Sequence, residues 1–214
     1  MKVKVVTRIM EANDRIAAEN RKLFNDAGVY VVNIMSAPGA GKTSLIEQTI
    51  RKLSIKLRMG VIEGDIAGTD DAQRIESLGI PVVQINTGGA CHLDANMINE
   101  TIADLPIKDL DLLIIENVGN LVCPAEFKVG EDMKVMILSI TEGDDKPLKY
   151  PLMFQESSAL ILNKVDLLPY TDVNIEKIKK SSLSLNPSLK IFKVSCKTGE
   201  GVPAWTEWLQ SLVK

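Results

Sequence analysis

Residues 36–43 read Ser-Ala-Pro-Gly-Ala-Gly-Lys-Thr, between an apolar run at 29–35 and a helix-like stretch that begins at Ser44. A glycine-rich turn between a strand and a helix cradles phosphates with its backbone N–H groups. The lysine of such a turn approaches the β- and γ-phosphates, and the threonine hydroxyl binds Mg²⁺. The sequence therefore predicts a nucleotide hydrolase whose phosphates contact the following residues: Gly39, Ala40, Gly41, Lys42, Thr43 and Ser44.

Two later segments predict which base is bound. Asn163-Lys164-Val165-Asp166 follows the predicted strand 158–162. Asp166 can accept hydrogen bonds from both N1–H and the exocyclic amine of guanine, and such a site discriminates by roughly 10⁴-fold or more. The stem of Lys164 can cover the base plane. Ser195-Cys196-Lys197, after the strand 190–194, is typical of the loop whose backbone N–H groups contact guanine O6. The predicted nucleotide is GTP or GDP.

Acidic residues follow two other predicted strands. Glu116 ends the predicted strand 111–116 and Gly119 follows it, where most small GTPases have Asp-x-x-Gly in contact with Mg²⁺ and the γ-phosphate. Asp65 follows the predicted strand 59–63 in a position to orient the attacking water, and Asp71 can support Mg²⁺. Alternatively, Asp70 or Asp71 is an N-cap before the helical stretch 72–78. The predicted catalytic residues are Lys42, Asp65 and Glu116, and the predicted magnesium ligands are Thr43, Asp71 and Glu116.

The single histidine of the chain, His92, stands beside Cys91 in Thr-Gly-Gly-Ala-Cys-His, and Cys123 follows the Glu116–Gly119 segment. Thiolate and imidazole ligands suit Ni²⁺ or Zn²⁺. These three residues can converge because both segments follow strands that lead to the nucleotide. Three ligands leave a site short of four unless two subunits share it. The alternative is that the cysteines are simply buried.

Apolar runs alternate with helical patterns, which predicts βαβ units and an α/β fold with a largely parallel sheet of about seven strands and helices on both faces. The predicted strands are 29–35, 59–63, 81–85, 111–116, 134–140, 158–162 and 190–194. The predicted helices are 8–27, 43–57, 70–78, 93–103, 172–184 and 203–212. We expect one P-loop GTPase domain over 1–214. Residues 1–28 form a helical extension packed on it, with Ile9, Ile16, Leu23 and Phe24 on or near one face.

Composition narrows the functional class. A net charge of −3 over 214 residues does not indicate a broad nucleic-acid interface. No segment approaches the roughly 18 apolar residues of a membrane span, and the first residues lack the apolar core of a secretory signal. Three cysteines are too few for a disulfide framework and fit a reducing compartment. We therefore expect a cytoplasmic protein that binds neither nucleic acid nor membrane.

Together these motifs resemble the hydrogenase nickel-incorporation GTPases, the HypB family, which are relatives of the urease accessory GTPase. The resemblance runs from about Val29 to the C-terminus. The longest matching stretches are Gln-Ile-Asn-Thr-Gly-Gly-Ala-Cys-His-Leu-Asp at 84–94, Ile-Glu-Asn-Val-Gly-Asn-Leu-Val-Cys-Pro-Ala at 115–125 and Thr-Glu-Gly-Asp-Asp-Lys-Pro-Leu-Lys-Tyr-Pro at 141–151. Ser36, where the general pattern has Gly, is frequent in that family.

The resemblance implies a GTPase that forms a homodimer when GTP is bound, with nickel, or zinc, at the interface on the positions of Cys91, His92 and Cys123. It also implies that Lys146 or Lys149 contacts the partner's nucleotide. The implied partners are a HypA-like nickel-handling protein and the precursor of the hydrogenase large subunit. Some members have a His-rich tract or an N-terminal Cys-x-x-Cys-Gly-Cys motif. This sequence has neither, so only the interface site is expected.

The predicted function is therefore a GTP-hydrolysing metallochaperone that delivers nickel for [NiFe]-hydrogenase maturation. One alternative is a nucleotide-regulated interaction module with a structural zinc site. Another is a GTPase chaperone of a urease or cobalamin system.

Overall fold

Seven parallel strands form one sheet in the computed structural model, which describes residues 4–66 and 68–213. Their spatial order is β3-β2-β4-β1-β5-β6-β7. Because β1 lies between β4 and β5, the carboxyl ends of central strands surround the phosphate loop that follows β1. The strands are β1 Tyr30–Ser36, β2 Met59–Asp65, β3 Val82–Asn86, β4 Leu112–Glu116, β5 Met133–Ser139, β6 Ala159–Asn163 and β7 Lys190–Lys193. The predicted fold class is confirmed.

Helices cover both faces of the sheet. They are α1 Lys4–Ala27, α2 Lys42–Leu53, α3 Asp70–Glu76, α4 Ala95–Thr101, α5 Cys123–Glu126, α6 Lys146–Lys149, α7 Pro151–Glu156, α8 Ile175–Leu185 and α9 Val202–Leu212. Short 3-10 turns span Ile102–Asp104, Ile107–Asp109, Ile140–Glu142 and Val165–Tyr170. The sequence prediction omitted α5, α6 and α7, which are too short to show a helical period.

The five inner strands, β2, β4, β1, β5 and β6, are buried almost throughout, which explains their continuous apolar runs. One face packs against α2, α3 and α9 through side chains such as Ile46, Ile75 and Trp205. The opposite face packs against α1 and α4 through Phe24 and Ile98, and against α7 and α8 farther along the sheet. The phosphate-loop helix and the N-terminal helix therefore lie on opposite faces.

The buried face of α1 includes Phe24, as predicted, but otherwise differs from the prediction. Asn13, Ala17, Asn20 and Phe24 are buried, whereas Leu23 is 39% exposed. The side chain of Ile9 lies outside the described residues. Two asparagines thus occupy positions where a helix that merely covers a sheet would have apolar side chains. No helix within the described ranges has the length and apolarity required to cross a membrane.

Candidate functional site

The phosphate loop leaves β1 at Ser36 and enters α2 at Lys42. Gly39 and Gly41 have φ angles of 72° and 100°, in the left-handed region that favours glycine. A Cβ on Gly41 would also lie 2.5 Å from the Asn163 amide nitrogen, which donates to the Ala40 carbonyl at 2.9 Å. The loop therefore keeps its shape through two glycines and a bond from the end of β6.

Lys42 and Thr43 converge on one carboxylate. The Lys42 ammonium lies 3.8 Å from Glu116 Oε1, and the Thr43 hydroxyl donates to the same oxygen at 3.0 Å. Lys42 also donates to the Ser36 hydroxyl at 3.4 Å. The predicted phosphate-binding lysine and two of the predicted magnesium ligands are thus neighbours at the junction of β1, α2 and β4.

Three carboxylates gather beside Thr43. Single oxygens of Glu63, Asp71 and Glu116 all lie within 4.8 Å of one another. Oε2 of Glu63 and Oε2 of Glu116 are buried without a hydrogen-bond partner. Converging carboxylate oxygens with free lone pairs fit a hard divalent cation such as Mg²⁺.

Glu63 is a residue that the sequence reasoning missed. It stands beside Glu116 in the register of β2 and β4, so both side chains emerge on the same side of the sheet. Burial raises the pKa of Glu63, and the neighbouring Glu116 carboxylate raises it further. The pKa of Glu116 is also raised, again chiefly by burial. A signal existed in the two glutamates near the ends of buried strands, but using it required the strand order.

Asp65 is engaged in the turn after β2. Its carboxylate accepts from the backbone N–H groups of Ile66 at 2.6 Å and Gly68 at 3.0 Å. Its predicted role in orienting water remains a prediction. The N-cap of α3 is Thr69, and Asp70 and Asp71 stand in the first turn, so the capping alternative is wrong in its detail. A carboxylate there is still favourable because it faces the positive end of the helix dipole.

Arg74 is a second residue that the sequence reasoning missed. It pairs with Asp71 at 2.8 Å and with Glu47 of α2 at 3.0 Å. It also lines a cavity of about 320 Å³ together with Lys42, Thr43 and Glu116. The Arg74 guanidinium therefore supplies a positive charge at the mouth of the phosphate site. Nothing in the sequence distinguishes Arg74 from an ordinary helical arginine.

A second cavity, of about 340 Å³, adjoins the phosphate cavity, and all of the predicted base-contacting residues except Ser195 line it. Gly41, Ser44 and Lys164 line both cavities. The structure therefore brings the phosphate loop and the base loops into one cleft. The lining of the second cavity includes Asn163, Lys164, Asp166, Cys196 and Lys197.

Hydrogen bonds fix the base loops. The Ser195 hydroxyl donates to Asp166 Oδ1 at 2.6 Å, and the Cys196 N–H donates to Asn163 Oδ1 at 3.3 Å. Lys164 adopts φ 65°, and its ammonium donates to the Gly39 carbonyl at 2.7 Å. Burial raises the pKa of the Cys196 thiol to about 11, so this cysteine stays a neutral thiol near neutral pH.

The predicted soft-metal residues lie together. Cys91 Sγ is 3.1 Å from Cys123 Sγ and 3.6 Å from His92 Nδ1, and all three offer a ligand atom within 4.8 Å of the others. The His92 ring stacks on Phe127 at a centroid distance of 4.0 Å. Burial lowers the pKa of His92, which favours the neutral imidazole that binds a metal. This donor set fits Ni²⁺ or Zn²⁺.

One short segment joins the two sites. It begins at Glu116 in the carboxylate cluster and ends at Cys123 in the thiol cluster. Within it, the Asn120 side chain donates to the Cys91 carbonyl at 3.3 Å. A Cβ on Gly119 would lie 3.0 Å from Pro38 Cα, so the segment passes directly against the phosphate loop. A shift of this segment would therefore displace ligand groups in both the carboxylate and the thiol cluster.

A family profile described as CobW/HypB/UreG, nucleotide-binding domain, matches residues 30–193. The chain belongs to this family. Within it, the Hydrogenase maturation factor HypB of Azotobacter vinelandii is 49% identical over 202 residues, covering 94% of this chain and 67% of that protein. The Probable hydrogenase maturation factor HypB of Methanocaldococcus jannaschii is 40% identical over 206 residues, covering 96% and 93%.

Solved structures agree with this assignment. HypB from Archaeoglobus fulgidus superposes with a TM-score of 0.90 at 39% identity, covering 95% of this chain and all of that one. HypB from Helicobacter pylori in complex with nickel superposes with a TM-score of 0.88 at 37% identity, covering 94% of both chains. The predicted membership of the HypB branch is confirmed.

In this HypB-family chain, α6 presents both lysines of the predicted partner contact. Lys149 pairs with Asp145 at 2.5 Å and is exposed. Lys146 lies over the Tyr150 ring, 6.0 Å from its centroid. The exposed Leu148 stands between them. Both lysines therefore remain candidates for the predicted contact with a second subunit.

Proposed function

We propose that this chain is a GTP-hydrolysing nickel carrier that acts in hydrogenase maturation. The observation that carries the proposal is the cluster of Cys91, His92 and Cys123, in which only six residues separate Cys123 from Glu116 in the carboxylate cluster beside the phosphate loop. The names of the HypB relatives and the nickel complex of one of them support the choice of pathway and metal. Zinc can compete for the same donors.

The nucleotide is bound in two parts. Asp166 accepts from guanine, and its orientation is fixed by the Ser195 hydroxyl. Lys42 neutralises phosphate charge, Asp65 orients the attacking water, and the phosphate-loop N–H groups contact the phosphate oxygens. Thr43, Asp71 and Glu116, with Glu63 added by the structure, would hold Mg²⁺. When bound, Mg²⁺ would neutralise the charge that develops on the phosphates during hydrolysis.

The switch is the segment from Glu116 to Cys123. Gly119 can donate its N–H to the γ-phosphate and release it after hydrolysis, as in other GTPases. Because Cys123 ends this segment and Cys91 lies in the separate loop after β3, a shift of the segment changes the separation of the two thiols. GTP and GDP states then differ in nickel affinity, and nickel must change GTP affinity by the same factor.

A second copy of the chain completes the metal site. One subunit supplies two thiols and one imidazole, and two subunits supply enough ligands for a closed site. Exposed apolar side chains follow β2, β4 and β5 at the edge of the sheet where the nucleotide cleft opens, namely Ile66, Val122 and Leu148. We infer that GTP closes a homodimer over this edge, with Lys146 or Lys149 contacting the partner's nucleotide.

The nickel is then handed to a protein of the HypA kind or to the precursor of the hydrogenase large subunit, in the cytoplasm. Such a transfer needs a metal site that opens when the nucleotide changes. The exposure of Cys91, beside the surface that closes in the dimer, is consistent with release to a partner when the dimer opens.

The decisive experiment measures nickel affinity and sedimentation of the wild type and of Cys91→Ala, with Mg²⁺ and either GDP or a non-hydrolysable GTP analogue. Cys196→Ala is the matched control, because its thiol lies outside the metal cluster and its predicted contact with guanine is made by the backbone N–H, which alanine keeps. We expect nucleotide-dependent nickel binding and dimerisation in the wild type and the control, and loss of nickel binding in Cys91→Ala. Equal nickel binding by Cys91→Ala in both states would refute delivery through this site and favour an interaction module.

A further inference from the structure

Two buried asparagines of α1 contact the two chain segments that carry the thiol cluster. Asn13 and Asn20 are seven residues apart, which is two helical turns, so they project from the same face of α1. Asn20 is fully buried and Asn13 is 8% exposed. Buried amides need hydrogen-bond partners, and both find them in the same pair of segments. We call Asn13 and Asn20 the α1 asparagines.

Asn13 spans the two segments with its two amide atoms. Its oxygen accepts from the Ala95 N–H at 2.9 Å, and its nitrogen donates to the Lys128 carbonyl at 2.9 Å. Ala95 is the third residue after His92, and Lys128 is the fifth after Cys123. One side chain therefore connects the histidine-bearing segment to the segment that bears the second thiol.

Asn20 connects the same two segments two helical turns farther along α1. Its nitrogen donates to the Ala95 carbonyl at 2.8 Å and to the Val129 carbonyl at 3.2 Å. Its oxygen accepts from the Asn99 side chain at 2.7 Å, which fixes the orientation of the amide. Both backbone polar groups of Ala95 are thus bonded to α1.

Gly130 permits this close approach. A Cβ at Gly130 would lie 2.7 Å from Asn20 Cβ and 3.0 Å from the Arg21 nitrogen, distances at which α1 or the segment would have to move. The φ of Gly130 is also 102°. Gly130 is therefore a part of the contact that can be changed without altering either asparagine.

The other end of the Cys123 segment is also fixed. The buried Lys134 ammonium donates to the carbonyls of Pro124 at 3.1 Å and Ala125 at 2.7 Å. Cys123 thus begins a short helix whose first turn is bonded to Lys134. The residues that follow this helix, Lys128 and Val129, are bonded to α1. Cys91 and His92 have α1 as an anchor on their C-terminal side.

We propose that α1 positions the nickel site, and that the α1 asparagines set the separation between the Cys91–His92 loop and the Cys123 segment. This inference rests on the proposed nickel site and adds the element that preorganises it. The α1 asparagines are positioning residues, because they contact backbone groups near the ligands and no ligand atom. Groups that orient metal ligands typically change metal affinity by about 10–100-fold when removed.

The nucleotide cleft provides an internal reference. The helix α2, which follows the phosphate loop, packs on the opposite face of the sheet from α1. The residues that line the two nucleotide cavities all lie outside α1. Removing the α1 asparagines is therefore expected to weaken nickel binding while GDP binding is retained. A general loss of folding would weaken both.

The test uses the full chain with Asn13→Leu, Asn20→Leu and Phe24→Leu. Phe24 is buried on the same face of α1 but contacts the apolar core, so Phe24→Leu controls for weaker helix docking. Nickel affinity is measured by competition with a chromophoric chelator, and ligand geometry by the sulfur-to-nickel charge-transfer spectrum. We expect a rise of about tenfold or more in nickel Kd and a changed spectrum for each asparagine variant. Phe24→Leu keeps the wild-type Kd and spectrum despite a lower Tm.

Gly130→Ala tests the same contact without removing a hydrogen-bonding group, and the same rise in nickel Kd is expected. If the asparagine variants and Gly130→Ala bind GDP and also keep wild-type nickel Kd and spectrum, the positioning role is wrong. If Phe24→Leu loses nickel as strongly as they do, the effect is general stability and the proposal fails as well. Cys91→Ala separates the two ideas: wild-type nickel binding in that variant refutes the proposed site itself, whatever the asparagine variants do.

Discussion

The side-chain oxygen of Asn117 accepts a hydrogen bond from the backbone N–H of Leu93 at 3.0 Å. Leu93 directly follows His92, and Asn117 directly follows Glu116. The same oxygen accepts from the Val118 N–H at 3.0 Å, and the amide nitrogen donates to Asn33 of β1 at 3.2 Å. Asn117 therefore ties the thiol cluster to the strand that ends in the carboxylate cluster.

Asn117→Leu should make the nickel affinity less dependent on which nucleotide is bound. Leucine cannot accept from Leu93, so a shift of Glu116 is no longer passed to the histidine loop. We expect the ratio of nickel Kd between the GDP and GTP-analogue states to fall towards one, from a starting ratio of about 5–150 that is typical of coupled sites. Isothermal titration in both states measures this ratio.

Asn120→Ala is the matched comparison for that prediction. Its bond to the Cys91 carbonyl is longer, at 3.3 Å, and exposed, so water can replace it at little cost. This variant should keep most of the coupling. A wild-type ratio in Asn117→Leu would mean that the coupling runs through other contacts.

Glu63→Gln should stabilise the nucleotide-free protein and weaken its response to Mg²⁺. Burial raises the folded-state pKa of Glu63 above its unfolded value of 4.5, so ionisation of the unfolded state removes stability as pH rises above about 4.5. Glutamine cannot ionise. At neutral pH we expect the free energy of unfolding to rise by about 1–3 kcal/mol, measured by urea denaturation without Mg²⁺.

In the presence of Mg²⁺, the same substitution should be unfavourable. The stabilisation of the wild type by Mg²⁺ and GDP together should shrink in Glu63→Gln, because one carboxylate ligand is gone. Glu47→Gln, which alters the ion pair with Arg74 rather than the carboxylate cluster, is the control. If Glu63→Gln leaves both the stability and the Mg²⁺ response unchanged, Glu63 is not part of the cation site.

The strand prediction succeeded because buried parallel strands are continuous apolar runs, as Leu112–Glu116 illustrates. The candidate phosphate, base and thiol residues could be proposed from the sequence because they follow such strands. Glu63 could not, since its partnership with Glu116 depends on β2 lying beside β4. The α1 asparagines were missed for a different reason: helical periodicity marks apolar faces, whereas these buried positions are polar and their partners are backbone groups distant in sequence.

Asp166→Asn should change the base preference from guanine to xanthine. The Ser195 hydroxyl accepts from the Thr198 N–H and donates to Asp166. In the variant, the Ser195 hydroxyl would still donate to the side-chain oxygen of the new amide, so the amide nitrogen would face the base. That nitrogen matches the xanthine oxygen and opposes the guanine amine. We expect GTP affinity to fall by up to about 10⁴-fold, with XTP binding gained, in competition against a fluorescent nucleotide.

Ser195→Ala is the control for the orientation argument. It should lower GTP affinity less than Asp166→Asn, because Asp166 remains able to accept from guanine. Unchanged selectivity for GTP over XTP in Asp166→Asn would remove Asp166 from the base site.

Nickel affinity should rise with pH across the neutral range. The hydrogen bond with Cys91 and then burial raise the pKa of the Cys123 thiol above its usual value, so nickel must displace a proton from Cys123 near neutral pH. Burial lowers the pKa of His92, so its imidazole is already neutral there. Each displaced proton increases the apparent affinity by up to about tenfold per pH unit below the thiol pKa. Chelator competition between about pH 6.5 and 8.5 measures the slope.

Cys123→Ala should flatten this slope by the contribution of one proton in addition to weakening nickel binding. Cys196→Ala should leave it unchanged, because the Cys196 thiol lies in the base loop and not among the metal donors. A nickel affinity that does not vary with pH in the wild type would be incompatible with a thiolate from Cys123 among the ligands, since that thiol starts protonated.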